Sequence, residues 1–240
     1  GGGHELGPRR LHAFVDMRAV VTVGPAVEGT AAAHEVGALF VLDCIASGAI
    51  WVDMADTGVD VLISAPQKGW SGPPCCALVA LSERARERID ATTSSSFACD
   101  LKKWLQIMET YEKGGHAYHA TMPTDALTRL RDVMLESQAI GFERLREAQY
   151  ALGQQVRALL ESRGMSSVAA PGFQAPGVVV SYTDDPEIQN SRKFLGQGLQ
   201  TAAGVPLQCD EPGGFSSFRI GLFGLEKWHK GWERNGWKTK

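Results

Sequence analysis

The chain has 240 residues, 24 Lys and Arg against 27 Asp and Glu, a formal net charge of -3 and 44% hydrophobic residues, which suits a globular protein with one large domain or two small ones. The mild acidity argues against nucleic acid or an anionic membrane as partner, no apolar run approaches a bilayer span, and GGGHELGPRR lacks the apolar stretch of a signal peptide. Five cysteines (Cys44, Cys75, Cys76, Cys99 and Cys209) show no metal-ligand spacing and read as reduced thiols, mostly core fillers, of a cytoplasmic protein.

Residues 15–23 can hold a strand, and residues 31–37 (AAAHEVG) read as the end of a helix stopped by glycine. Residues 38–43 (ALFVLD) form an apolar strand that ends in a carboxylate, Asp43. A second apolar strand, residues 59–64, runs into a polar turn that carries Lys68, and residues 77–81 (ALVAL) give a third. These runs hardly alternate, so the expectation is an α/β sheet covered on both faces. Ser82 is a helix N-cap, residues 100–113 form a further helix broken by Gly114 and Gly115, and residues 124–163 are largely helical. After Gly164 the texture changes to residues 167–170, a strand over 177–182, a helix over 187–201 and a strand over 218–223, a second α+β unit. The tail from Glu226 is basic and rich in tryptophan, and reads as an interface or a loose end.

Two adjacent buried strands thus deliver one charged residue each from their carboxyl ends. A lysine held by a strand end and partly shielded from water has the setting a nucleophilic amine requires. Taken alone, Lys68 also fits a solvated surface lysine, Asp43 a turn cap, and Arg219 a polar-face strand arginine. Ser47 and Gln67 fit ordinary backbone partners. His116 and His119 lack a carboxylate or cysteine at ligand spacing, so no metal is expected there. Trp70 can shape a pocket or fill a core.

Four blocks in order sharpen these alternatives. LFVLDCIAS, SAPQKGWSGPP, HAYHATMPTDAL and FRIGLFGLEK together resemble the class V aminotransferases, the fold-type I pyridoxal phosphate enzymes, within the alanine–glyoxylate and serine–pyruvate group. The resemblance implies a mainly parallel large domain and a small α+β C-terminal domain, divided here into residues 1–137 and 138–240. It implies that Lys68 forms the Schiff base with pyridoxal 5'-phosphate and then moves the substrate α-proton. It further implies that Asp43 pairs with the pyridine nitrogen and that Ser47 and Gln67 neighbour the cofactor's O3' or phosphate. On the same resemblance, Tyr118 and Thr121 would reach the partner's cofactor phosphate in a homodimer, and Arg219 would grip the substrate carboxylate. On the same resemblance the reaction moves an amino group from a small amino acid, of the alanine or serine type, to a keto acid such as glyoxylate or pyruvate. Two alternatives remain: a lyase or desulfurase on the same cofactor, with Cys99 as a loop thiol, or a catalytically silent dimeric remnant.

The family's phosphate-binding turn and ring-stacking aromatic, which precede the aspartate strand, have no counterpart in these residues. The expectation is that the N-terminal part of the large domain is missing from this sequence.

Overall fold

A computed structural model describes residues 13–16, 23–206 and 213–228. The first sheet runs in the order β1 (Ala13–Asp16), β2 (Phe40–Asp43), β3 (Val61–Ser64) and β4 (Leu78–Leu81). The first three strands are parallel, and β4 returns antiparallel beside β3. Asp43 pairs in register with Asp16 on one side and Ile63 on the other, so the carboxyl ends of these strands lie together. Helix α1 (Val23–Glu35) precedes β2. It ends two residues before Gly37, whose φ of 69° is open to glycine at no steric cost.

Between β2 and β3 lies a single short turn of helix, α2 (Met54–Thr57), N-capped by Asp53. Asp60 follows it as a buried brace. Its Oδ2 accepts the Phe40 N–H at 2.8 Å and bonds His34 Nε2 at 2.8 Å, while Oδ1 accepts from Ser82 Oγ at 3.1 Å. One carboxylate therefore ties α1, β2 and the cap of α3 (Glu83–Asp90) to the start of β3. Phe40, Leu42 and Val59 are buried in the core around it.

Coverage of the sheet is less complete than the unbroken apolar runs suggest. Leu62, Ile63, Leu78, Val79 and Leu81 are only partly buried. The long helical stretch is also divided. Helix α4 (Leu101–Glu112) is capped by Asp100, and then α5 (Thr124–Ile140) and α6 (Phe142–Glu161) part at Gly141, where φ is 99°. An L-residue does not readily take that conformation, so the glycine sets the break.

The C-terminal sheet has the order β5 (Val178–Tyr182), β7 (Ser217–Gly221) and β6 (Ala202–Ala203), all antiparallel. The helix expected over 187–201 is instead two short pieces, α7 (Pro186–Gln189) and α8 (Arg192–Gly196). Between them Ser191 turns left-handed at φ 71°, which ends the first piece. The segment 167–170 makes only one bridge, from Ser167 to Ser181. The last element, α9 (Leu225–Trp228), buries Trp228, whose Nε1 donates to Leu222 O at 2.7 Å. This end of the tail is core, and residues 229–240, with Trp232 and Trp237, lie outside the described residues.

Of the described cysteines, Cys44 is buried, Cys75 and Cys76 are half-buried and Cys99 is exposed. The core-filler expectation therefore holds for one thiol, and Cys209 lies outside the described residues.

Candidate active site

The turn after β3 carries Lys68 and is closed by two backbone bonds, Ser71 N–H to Lys68 O at 3.1 Å and Gly72 N–H to Pro66 O at 2.8 Å. The loop after β2 packs against it. Cys44 N–H donates to Ile63 O at 2.7 Å, and a Cβ on Gly69 would collide with the carbonyl of Gly48. Gly48 has φ 67° and faces the Gln149 side chain and Phe223 on its other side. Glycine is required at Gly69 because two backbones meet there, and at Gly48 because of its positive φ and the side chains of Gln149 and Phe223 against it. Ala49, fully buried, belongs to the same core as Leu145, Val179, Phe218 and Leu222. The loop bearing Asp43 is thus wedged between the lysine turn and the C-terminal sheet.

Lys68 opens onto a cleft of about 290 Å³ lined by Gln67, Ser71, Gly72, Gly221, Phe223, Glu226 and Lys227. Its side chain is half-buried, and it makes no hydrogen bond or ion pair with the described residues. A larger cavity, about 680 Å³, lies in the C-terminal unit between Gly164, Tyr182, Asp184 and Phe215. It holds neither the lysine nor the arginine, and size alone does not make a site.

Asp43, half-buried, uses Oδ1 to accept the Ile45 N–H at 2.8 Å. Its Oδ2 has no hydrogen-bond partner among the described residues. Ser47 is buried and donates to Cys44 O at 3.0 Å. Burial and the charge of Asp43 push the Cys44 thiol up to about 12. Arg219 is exposed on β7, opposite Val180, while Phe218 is buried on the other face. Gly221, two residues on and on the face of Arg219, lines the lysine cleft.

Tyr118 and Thr121 stand apart from this group. Both are exposed, Tyr118 Oη lies 3.2 Å from Thr121 Oγ1, and neither lines the cleft, nor do Asp43, Ser47 and Arg219. His119 contacts Phe97 O at 3.1 Å and stacks near Phe97 and Trp104. No group of three or more His, Cys, Asp or Glu suited to a metal ion occurs among the described residues. Trp70 joins Trp51 and Phe142 in an aromatic cluster, with Trp51 Nε1 donating to Phe142 O at 2.8 Å. Cys99 does not line the cleft.

Residues 20–208 match the family described as "Aminotransferase class-V". The chain belongs to the class V aminotransferase family. Relatives include the soluble hydrogenase small subunit of Synechococcus sp., 28% identical over 66% of this chain and 40% of that protein. Another is the 2-aminoethylphosphonate–pyruvate transaminase of Burkholderia ambifaria, 28% identical over 78% of this chain and 49% of that protein. The chain spans about half or less of the length of these curated relatives. The solved alanine–glyoxylate aminotransferase of Nostoc sp. shares the fold, with TM-score 0.72 and 18% identity over 90% of this chain and 57% of that one. The fold is therefore the fold-type I arrangement, and the cofactor that goes with this family is pyridoxal phosphate.

The chemistry of the donor set fits that group. Among the described residues the lysine amine has no partner and Asp43 leaves one carboxylate oxygen unused, and the two residues follow from the carboxyl ends of adjacent parallel strands. Sequence reasoning passed over Ser71 and Asp60. Ser71 precedes Gly72, a serine–glycine pair that signals a turn, and Asp60 is one acid inside an apolar run.

Proposed function

We propose that this chain carries the lysine-bearing part of a pyridoxal-phosphate-dependent aminotransferase active site. The observation that carries this reading is the amine of Lys68, without a partner among the described residues, on the turn after β3, with Asp43 at the end of the neighbouring parallel strand. The reaction is transfer of an amino group from a small amino acid, of the alanine or serine type, to a keto acid such as glyoxylate or pyruvate. The protein is a cytoplasmic homodimer, with residues 1–137 in the cofactor domain and 138–240 in the bridging helix and small domain.

When bound, the cofactor supplies an electron sink for the pair left behind as the substrate loses its α-proton. Lys68 Nζ would hold the cofactor and, once free, would be the base that takes the proton from the donor's Cα. Asp43 would offer a carboxylate to the protonated ring nitrogen. Gln67 supplies amide donors at the rim of the cleft, and Ser47 braces the turn that delivers Asp43. Arg219 takes the donor's carboxylate through two parallel N–H groups, which sets the direction of the Cα–H bond. Tyr118 and Thr121 are offered to the cofactor phosphate of a second copy, consistent with their exposed hydroxyls.

Purified protein mixed with pyridoxal phosphate should gain a visible absorbance band that borohydride abolishes, leaving the cofactor's mass on the Lys68 peptide. Lys68→Ala should lose the band and all turnover between alanine and glyoxylate. Full turnover in that variant would sink the reading, and so would wild-type protein that takes up no cofactor.

A further inference from the structure

Ser71 holds a left-handed backbone, φ 59°, in a conformation that non-glycine residues seldom adopt. Its Oγ accepts the N–H of Leu225, 154 positions away, at 2.6 Å. Leu225 begins α9, directly after Gly224 and four residues beyond the end of β7. Leu225 itself is buried in the C-terminal core. On the other side, the Ser71 N–H closes the turn onto the carbonyl of Lys68. The two bonds of one serine therefore join the lysine turn to the first residue of α9, four residues beyond the strand that carries Arg219. Both Ser71 and Gly224 line the cleft onto which Lys68 opens.

The strain at Ser71 argues that its side chain has a purpose there. Glycine takes this backbone without cost, as it does at Gly48 and Gly58, each with a φ near Ser71's own. A serine in its place contributes a hydroxyl aimed at the Leu225 amide. Without that oxygen the lysine turn still has Gly69 against Gly48, but it loses its direct polar tie to the C-terminal sheet.

We propose that Ser71 is a positioning residue that fixes the turn bearing Lys68 against the strand bearing Arg219, and so sets the spacing between the reactive amine and the substrate's carboxylate anchor. This rests on the reading of Lys68 and Arg219 given above. Ser71→Gly keeps the backbone conformation and removes the oxygen. Ser71→Asn tolerates the same conformation and restores an acceptor.

The test uses the whole chain, first without cofactor. Hydrogen exchange at the Leu225 amide should rise about ten-fold in Ser71→Gly and return in Ser71→Asn. The rate at which limiting acetic anhydride labels Lys68, followed across pH by peptide mass spectrometry, should change about three-fold at neutral pH in Ser71→Gly and be rescued in Ser71→Asn. A Lys68 profile that Ser71→Gly leaves in place, or that Ser71→Asn does not rescue, overturns the proposal. Unchanged exchange at Leu225 in Ser71→Gly overturns it as well. Uptake of pyridoxal phosphate by the wild type is scored separately. Its failure removes the aminotransferase reading, while the exchange and labelling results still decide whether Ser71 holds the turn.

Discussion

Asp60→Ala should be among the most destabilising single changes in the first sheet. The Asp60 side chain is almost fully buried, with 2% exposure, and meets donors from three directions. The Phe40 N–H at 2.8 Å belongs to a residue only 1% exposed, so water does not readily replace the lost acceptor. An unsatisfied buried amide costs about 1–3 kcal/mol. The bonds from His34 and Ser82, at 2.8 and 3.1 Å, are partly buried and add about 0.5–1.5 kcal/mol each. Arg84, 3.7 Å away and a third exposed, adds little. Removing the carboxylate also removes its desolvation cost, which offsets part of the sum. The net expectation is a loss of about 3–4 kcal/mol. Asp60→Asn keeps one carbonyl oxygen for Phe40 and should lose about half as much. Urea unfolding followed by far-ultraviolet circular dichroism measures both. A loss below about 1 kcal/mol for Asp60→Ala at unchanged slope would refute the argument that this carboxylate braces β2 against β3.

Gly69→Ala should cost about 1–3 kcal/mol and abolish cofactor uptake, since its Cβ must push the lysine turn away from the Gly48 carbonyl; a variant with unchanged melting temperature and uptake contradicts this. Arg219→Lys should raise KM for the amino donor about ten-fold or more, because a two-point contact becomes one; equal KM in initial-rate assays argues against a carboxylate role. Cys44 gives a pH prediction. Its thiol rises from 9.0 to about 12 in the folded chain, mainly through burial. Between those values the folded state holds a proton that the unfolded state has lost, so stability falls as pH rises above 9, by about 1.4 kcal/mol per unit for this group alone. Cys44→Ala should flatten that slope in unfolding measured from pH 8 to 11, and an unchanged slope would discount the buried thiol.

β2 and β3 were legible because they are short apolar runs, one ending in Asp43 and the other leading to Lys68, a pattern set by local sequence; the strand expected over 15–23 lies instead at Ala13–Asp16, and helix α1 begins at Val23. The cap at Ser82 was legible for the same reason; Asp100, expected only as the start of a helix, is also a cap, and each supplies a side-chain oxygen to an N–H three residues on. Gly141 and Ser191 were not, because the apolar spacing continues through both while the backbone turns left-handed at each. The half-exposure of β4 was hidden as well. An apolar run looks the same whether or not helices cover its second face.

The candidate site divides along the same line. Lys68, Asp43 and Arg219 stood out through motif order, and each lies at a strand end or on a strand face that sequence can place. What holds them at fixed distances depends on contacts far apart in the chain: Gly69 on Gly48, Gly48 beside Gln149 and Phe223, and Ser71 on Leu225. Such contacts leave only indirect marks in a sequence, as a glycine where two backbones cross or a serine held in a glycine's conformation. Among the described residues the lysine turn makes one long-range hydrogen bond, Ser71 to Leu225, and is otherwise held by packing, Gly69 against the Asp43 loop and Trp70 against Trp51 and Phe142. A change in one of these neighbours should therefore move Lys68 without touching it. The placement of that amine is set where the two sheets meet, and its own strand fixes only one side of it.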